Sequence, residues 1–382
     1  MVRPRIALVA AGVCLGAALG VKFAHSSSRV RPVPPVRRGH QSAGAPVSPP
    51  PKPAPLNVAA YEAQLRALAN LPPPTTVTRV HWVRKGKRRI KTEIKTIRYA
   101  RSSLGVPLQD LWPAKAPLPE AGALLPFDRI VAYYGNLYSK HMGVLGEYPP
   151  EEMLTKLLVT TAQWQAADPT TRAVPALDYI AVAAQATPGG DGRYRMRMPA
   201  GQIDKVLRMA QQVQGLVFLD VQVGQSNVRA EVPLLAPYLK LPNVELALDP
   251  EFAMYGGRRP GTVIGTLNAS DINWAAQYLA RIARANGLPP KILVVHRFTQ
   301  AMVTDTRQIR PLPEVQIVMD MDGFGYPSQK IKTYEDFIES EPVQFTGFKL
   351  FYKNDVRRPG SYLLTPEQIL KLHPRPSYIQ YQ

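Results

Sequence analysis

The sequence predicts an α/β fold: a (β/α)8 TIM-like barrel over residues 127–382, preceded by a basic β-hairpin region and a Pro-rich linker. Three observations predict it. From Phe127 onward, eight short β-rich runs recur, and amphipathic helical stretches separate most of them, the rhythm of a barrel of about 250 residues. Acidic and other polar residues collect at the C-terminal ends of those runs, where barrel side chains leave the packed interior for a loop-walled mouth. No Gly-rich phosphate turn follows the first run, so the fingerprint of an open doubly wound sheet is missing.

The elements before the barrel follow in order. MVRPRIALVAAGVCLGAALGVKFAHSSS has two arginines and then an uncharged apolar run from Ile6 to Val21. That pattern makes residues 1–28 a signal peptide or an N-terminal membrane anchor. Cys14 stands where a lipoprotein would be acylated, but Val13 replaces the small residue expected before it, and no clear A-x-A site follows. Cys14 is also the only cysteine, which suits an extracytoplasmic protein, membrane-anchored or secreted, built without disulfides. Residues 29–56 are a Pro-rich linker, with too few apolar residues to bury and too many prolines for helix or sheet.

Residues 57–126 form a small basic region. NVAAYEAQLRALANL spaces Tyr61, Leu65, Leu68 and Leu71 as a helix does, and PPP ends it. TTVTRVHWVRKGKRRIKTEIKTIRYA then reads as a hairpin turning at Lys85-Gly86-Lys87. Residues 1–126 carry 20 Lys and Arg against 4 Asp and Glu, whereas the remainder carries 27 against 24. The basic charge is thus local, which argues against a specific nucleic-acid partner for the whole protein. Residues 79–101 are expected to meet an anionic envelope surface, or simply to blunt an exposed sheet edge.

The barrel strands are expected at 129–136, 176–185, 215–224, 244–252, 291–298, 315–324, 345–355 and 376–381. EEMLTKLLVTTAQWQ, GQIDKVLRMAQQVQ, RAEVPLLAPYLK, SDINWAAQYLARIARAN, KTYEDFIES and TPEQILKL supply the helices. In VQIVMDMDGF the period-two alternation puts Asp320 and Asp322 on one face with Val318, away from Met319 and Met321. By the same parity Asp220 and Asp249 face the barrel axis, while Leu219, Val221, Leu246 and Leu248 face the helices.

These acids are the candidate catalytic set: Asp249, Asp320, Asp322 and Asp220. Like charges a few ångströms apart cannot all ionise, so such a cluster supplies an acid and a base near neutral pH. Two carboxylates are what glycosidic cleavage needs. Tyr134, Asn136, Gln222, Glu251, His296, Lys349, Tyr352 and Tyr381, also at run ends, are the candidate substrate-binding residues. The partner expected is a polysaccharide or cell-wall polymer. Aromatic residues near the run ends, Tyr133, Tyr134, Phe252, Tyr255, Phe324, Phe351 and Tyr352, would stack on sugar rings.

Other chemistries find less support. No cofactor is expected, although Asp220, Asp249 and Asp320 could gather an oxygen-ligated Mg²⁺ or Ca²⁺. A histidine-rich zinc site is not expected, with only His141 and His296 in the barrel proper and His373 before the eighth strand. Asp320-Met-Asp322 matches the D-x-D of metal-dependent glycosyltransferases, which have a different fold. Gly224-Gln225-Ser226-Asn227 lacks the second glycine of a G-x-S-x-G elbow, and no P-loop is present.

The segments YYGN, LALDPEF, PGTVIGT, KILVVHRF, MDMDGFG and GFKLFYKND, with the closing PRPSYIQYQ, resemble an uncharacterised family of bacterial secreted proteins and lipoproteins. The likeness spans residues 127–382 and implies a glycoside-hydrolase-like barrel with no assigned activity. At the level of fold the pattern is similar to the α-galactosidase-like clan, in which an Asp ending strand four is the nucleophile and an Asp ending strand six the acid. That resemblance implies Asp249 for the first role and Asp320 or Asp322 for the second. A second large clan carries a Glu nucleophile on strand seven, where this chain has Lys349. The reading is therefore a glycoside-hydrolase-like barrel acting on an envelope or environmental polysaccharide. The alternative is a non-catalytic wall-binding barrel.

Overall fold

A computed structural model describes residues 54–382. The apolar N-terminal run, Cys14 and nearly all of the Pro-rich linker lie outside the described residues. Among the described residues, no helix is long and apolar enough to cross a membrane.

The hairpin forms as its turn chemistry requires. Strands β1 (Thr75–Lys85) and β2 (Arg88–Arg98) pair antiparallel over their full length, and Gly86 supplies the positive φ of the turn. Nearly every hairpin residue is exposed, on both faces.

Eight parallel strands then close a barrel. They are β3 (Asp128–Gly135), β4 (Arg172–Ala184), β5 (Leu216–Val221), β6 (Val244–Leu248), β7 (Lys291–Arg297), β8 (Val315–Met321), β9 (Phe345–Leu350) and β10 (Tyr378–Tyr381). Each pairs in parallel with its sequence neighbours, and β10 returns to pair with β3. All eight fall where the sequence predicts them, and the (β/α)8 class holds. Closure leaves no sheet edge to protect. That is why strands such as KILVVHR are buried at every position.

Helix α1 (Val58–Ala69) precedes the hairpin, and α2 (Pro150–Ala167), α3 (Ala200–Gln212), α4 (Ala269–Asn286) and α5 (Pro327–Tyr334) cover the outer wall. Helix α4 shows the local logic. Asn268 accepts the amides of Ser270 and Asp271 through Oδ1, and Gly287 takes a left-handed φ of 60° beyond the last turn. Between these caps Ile272, Ala275, Ala276, Leu279, Ile282 and Ala283 bury one face at helical spacing. Only short turns link β7 to β8, so one position of the outer ring lacks an α-helix. Helix α1 packs under the barrel floor: Leu65 and Leu68 lie against its interior residues, and Arg375 N–H donates to Leu68 O.

Inside the barrel the floor and middle are largely apolar, with Gln316 bonded to the Leu125 backbone and Glu245 to the Ile292 amide among them. Leu125, Ile130, Val174, Leu216, Ile292 and Phe345 join Ala132, Ala176, Phe218, Ala247, Val294, Val318 and Tyr378 in one cluster. One pleat step higher the chemistry changes on every strand at once. Two residues beyond Ala132, Ala176, Phe218, Ala247, Val294, Val318, Gly347 and Tyr378 come Tyr134, Asp178, Asp220, Asp249, His296, Asp320, Lys349 and Gln380. A whole layer, one side chain per strand, is polar and at most 4% exposed.

Candidate active site

A buried charge survives only when paired or neutralised, so the polar layer must be held by its own partners. His296 sits at the centre. Its Nδ1 lies 2.9 Å from Asp320 Oδ2 and its Nε2 lies 3.1 Å from Asp220 Oδ2. Burial opposes a charged imidazole, but the hydrogen bonds to Asp220 and Asp320 outweigh it and hold His296 well above its usual range. Asp320 itself is pushed up by burial against the opposing pull of His296.

Asp178 Oδ2 accepts Tyr378 Oη–H at 2.6 Å and Gln380 Nε2 at 2.8 Å. Burial, with the charge of Asp220 adding to it, raises this carboxyl to about 7. Lys349 Nζ stands 3.1 Å from Asp322 Oδ1 and 3.9 Å from the centre of the Tyr134 ring. Burial disfavours its ammonium, but Asp322, Asp249 and Asp320 overcome that penalty and raise it.

Gly347 is the layer's steric hinge. A Cβ there would approach Asp320 Cβ to 3.0 Å and its Oδ1 closer still. The Asp320 carboxylate therefore needs glycine on the neighbouring strand, at the position directly paired with it.

Asp249, the layer's member at the end of β6, leads up to the rim. Asp249 Oδ2 accepts Gln222 Nε2 at 3.1 Å, and its Oδ1 accepts the Glu251 amide at 3.2 Å. Burial and the charge of Asp220 hold Asp249 well above the carboxylate range. Gln222 also donates to Tyr134 Oη at 3.1 Å and accepts the Ala184 amide at 3.0 Å. Glu251 is only half-buried. Burial and the neighbouring Asp322 raise it to about 7.

The structure thus brings together Asp220, Asp249, Asp320, Asp322, Glu251, His296, Lys349, Gln222 and Tyr134. Three other candidates lie elsewhere. Tyr381 points to the helix side of the wall, where Trp164 Nε1 donates to its Oη at 2.9 Å. Tyr352 stacks on Tyr381 at 5.1 Å, with its Oη 3.1 Å from Tyr133 Oη, on the same outer side. Asn136 ties the loop after β3: its Nδ2 donates to Ile180 O and its Oδ1 accepts the Tyr138 amide. Its amide is spent on backbone.

Two members of the layer were missed. Gln380 is the inward residue of β10, whereas Tyr381, the residue nearest the end of that run, faces the helices. Asp178 was missed because it lies mid-strand rather than at a strand end. The signal was there, since Asp178 is the lone acid in the apolar run ALDYIAVAA, on the parity of the inward Ala176. The groups able to share an ion also differ from those expected: Asp178, Asp220 and His296 offer donor atoms within 4.8 Å of one another.

Fold and site together define a (β/α)8 barrel with a buried carboxylate–histidine–lysine layer beneath its C-terminal mouth. No family model and no curated protein matches the chain. Among solved structures it is similar to the Bacillus subtilis mannanase BCman, with 9% identity, 67% of this chain and 80% of that chain covered, and a TM-score of 0.34. It is also similar to the Plasmodium falciparum HPPK-DHPS, with 11% identity, 70% and 47% covered, and a TM-score of 0.30. The barrel assignment rests on the strand pairing, not on these likenesses.

Proposed function

We propose that this barrel works outside the cytoplasm and hydrolyses a glycosidic bond in an envelope or environmental polysaccharide. Glu251 is the proton donor and Asp322 the nucleophile or base. One observation carries this reading: Glu251 feels the charge of a carboxylate, Asp322, that is itself ion-paired to a lysine. Glu251 is raised to about 7 by burial and by Asp322, while Asp322 has the Lys349 ammonium at 3.1 Å. A protonated carboxyl beside an ion-paired carboxylate offers the acid and base that glycosidic cleavage requires.

Asp249, assigned the nucleophile's role from strand order, is better suited to positioning, because both of its oxygens are engaged in holding Gln222 and the Glu251 amide. Phe324, 41% exposed two residues beyond Asp322 and edge-on to Phe351, supplies a stacking face for a sugar ring. The hairpin's basic residues, exposed on both faces, suit adhesion to an anionic envelope polymer.

The test incubates the full chain with purified envelope polysaccharide fractions and measures new reducing ends. Glu251→Gln should lower the rate by about 10²–10⁴-fold with an unchanged circular dichroism spectrum. A second reading, a silent polymer-binding barrel, is favoured by the low exposure of Asp249 and Asp322, 4% and 7%. Retention on those fractions with no new reducing ends would establish it instead.

A further inference from the structure

We propose that Asp178, Asp220 and His296 form a binding site for one divalent transition-metal ion, of the zinc or manganese type, inside the barrel. Three independent observations converge on it. First, a carboxylate oxygen from each aspartate and a ring nitrogen of His296 lie within 4.8 Å of one another, on three different strands. Donors about 2.1 Å from one ion sit at most about 4.2 Å apart, so side-chain adjustments of less than about 1 Å bring all three onto a common ion.

Second, Asp178 Oδ1, Asp220 Oδ1, Asp320 Oδ1 and Gln380 Oε1 are fully buried acceptors with no hydrogen-bond partner in the protein. Buried polar atoms of folded proteins are nearly always satisfied. Four such oxygens in one layer, all of them acceptors, are matched by a cation. Third, His296 is already oriented as a metal ligand. Its Nδ1 faces Asp320 Oδ2 at 2.9 Å, the carboxylate–histidine arrangement of metal-ligating imidazoles, and an ion at Nε2 would displace the proton now shared with Asp220. Nε2 in turn points toward Asp220.

Charge supports the same conclusion. Six carboxyl groups (Asp178, Asp220, Asp249, Glu251, Asp320 and Asp322) share this end of the barrel with the two basic side chains His296 and Lys349. One divalent ion offsets two of those negative charges. A mixed nitrogen and carboxylate set favours zinc, manganese or cobalt over calcium, which takes six to eight oxygens. The site is built from residues other than Glu251 and Asp322. It is independent of the hydrolase reading, and metal content is measured without any glycoside.

The experiment uses the full chain expressed in medium supplemented in turn with ZnCl2, MnCl2, MgCl2 or CaCl2, desalted and analysed for metal. The chelator-treated protein is titrated with the same salts by calorimetry and by thermal unfolding. One equivalent of zinc or manganese per chain is expected, with a melting point several degrees above the stripped protein. Asp178→Asn should weaken binding at least 10-fold with the fold kept, and Asp320→Asn by about 10–100-fold, as for outer-shell partners. Cobalt loading gives a second readout, visible absorption bands that change in Asp178→Asn. Less than a tenth of an equivalent in every arm would overturn the proposal, since the layer would then be satisfied by water and protons alone. So would stoichiometric metal that survives in both Asp178→Asn and Asp220→Asn, or a preference for calcium or magnesium.

Discussion

His296 and Asp320 occupy directly paired positions on β7 and β8, with Nδ1 2.9 Å from Oδ2, and both side chains are fully buried. Through Nε2 the same ring reaches Asp220 on β5, so one imidazole links three strands across the barrel interior. Removing one partner leaves an uncompensated buried charge, which costs about 3–5 kcal/mol. Asp320→Ala should destabilise the protein by that amount in urea titration, and Asp320→Asn by less. A loss below about 1 kcal/mol for Asp320→Ala would show that the pair is not what holds this layer.

Gly347 gives a steric test of the same contact. A methyl group there meets Asp320 on the adjacent strand, and overpacking a filled interior costs about 1–3 kcal/mol. Gly347→Ala should show that loss, whereas alanine at Gly190, where an added Cβ would meet nothing within 4 Å, should be close to neutral. Equal effects at the two sites would dismiss the Gly347–Asp320 clash.

The proton donor predicts a pH limb. Glu251 must be protonated to act, and its carboxyl is raised to about 7, so the rate of reducing-end release should fall as pH rises through about 7. Lys349 lowers the Glu251 pKa. Lys349→Met should therefore move this limb to higher pH, whatever it does to the maximal rate. A limb that stays in place would take the donor role away from Glu251.

Glu339 predicts a pH-dependent stability. Burial, with Glu335 adding, raises it from 4.5 to about 8. The folded state therefore holds a proton that the unfolded chain releases above about 4.5, and the penalty on folding grows until about pH 8. Glu339→Gln removes that penalty. Its melting-point advantage over wild type should be absent at pH 4 and largest at pH 8. An advantage independent of pH would contradict the buried-carboxyl account.

Much of the fold was legible because strands buried on both faces read as short apolar runs and the runs recur at a barrel's rhythm. Asp320 and Asp322 could be placed on one face from alternation alone, and so could the inward parity of Asp220 and Asp249. Alternation decides little at β10, where four residues leave open which side chain faces the axis, and Gln380 rather than Tyr381 faces in. Asp178 escaped for another reason: the expectation that polar residues mark strand ends hid one lying in the middle of the thirteen-residue β4.

By itself the sequence determined the order of elements, the basic hairpin and the presence of acids on axis-facing positions, because each depends on residue types within a few neighbours of one another. Only the tertiary structure decided that eight polar side chains gather in one zone of the barrel interior, that His296 bridges Asp220 and Asp320, and that Gly347 makes room for Asp320. Those relations depend on how far each strand is shifted against the next when the ring closes, and that shift is set by packing between residues far apart in the chain.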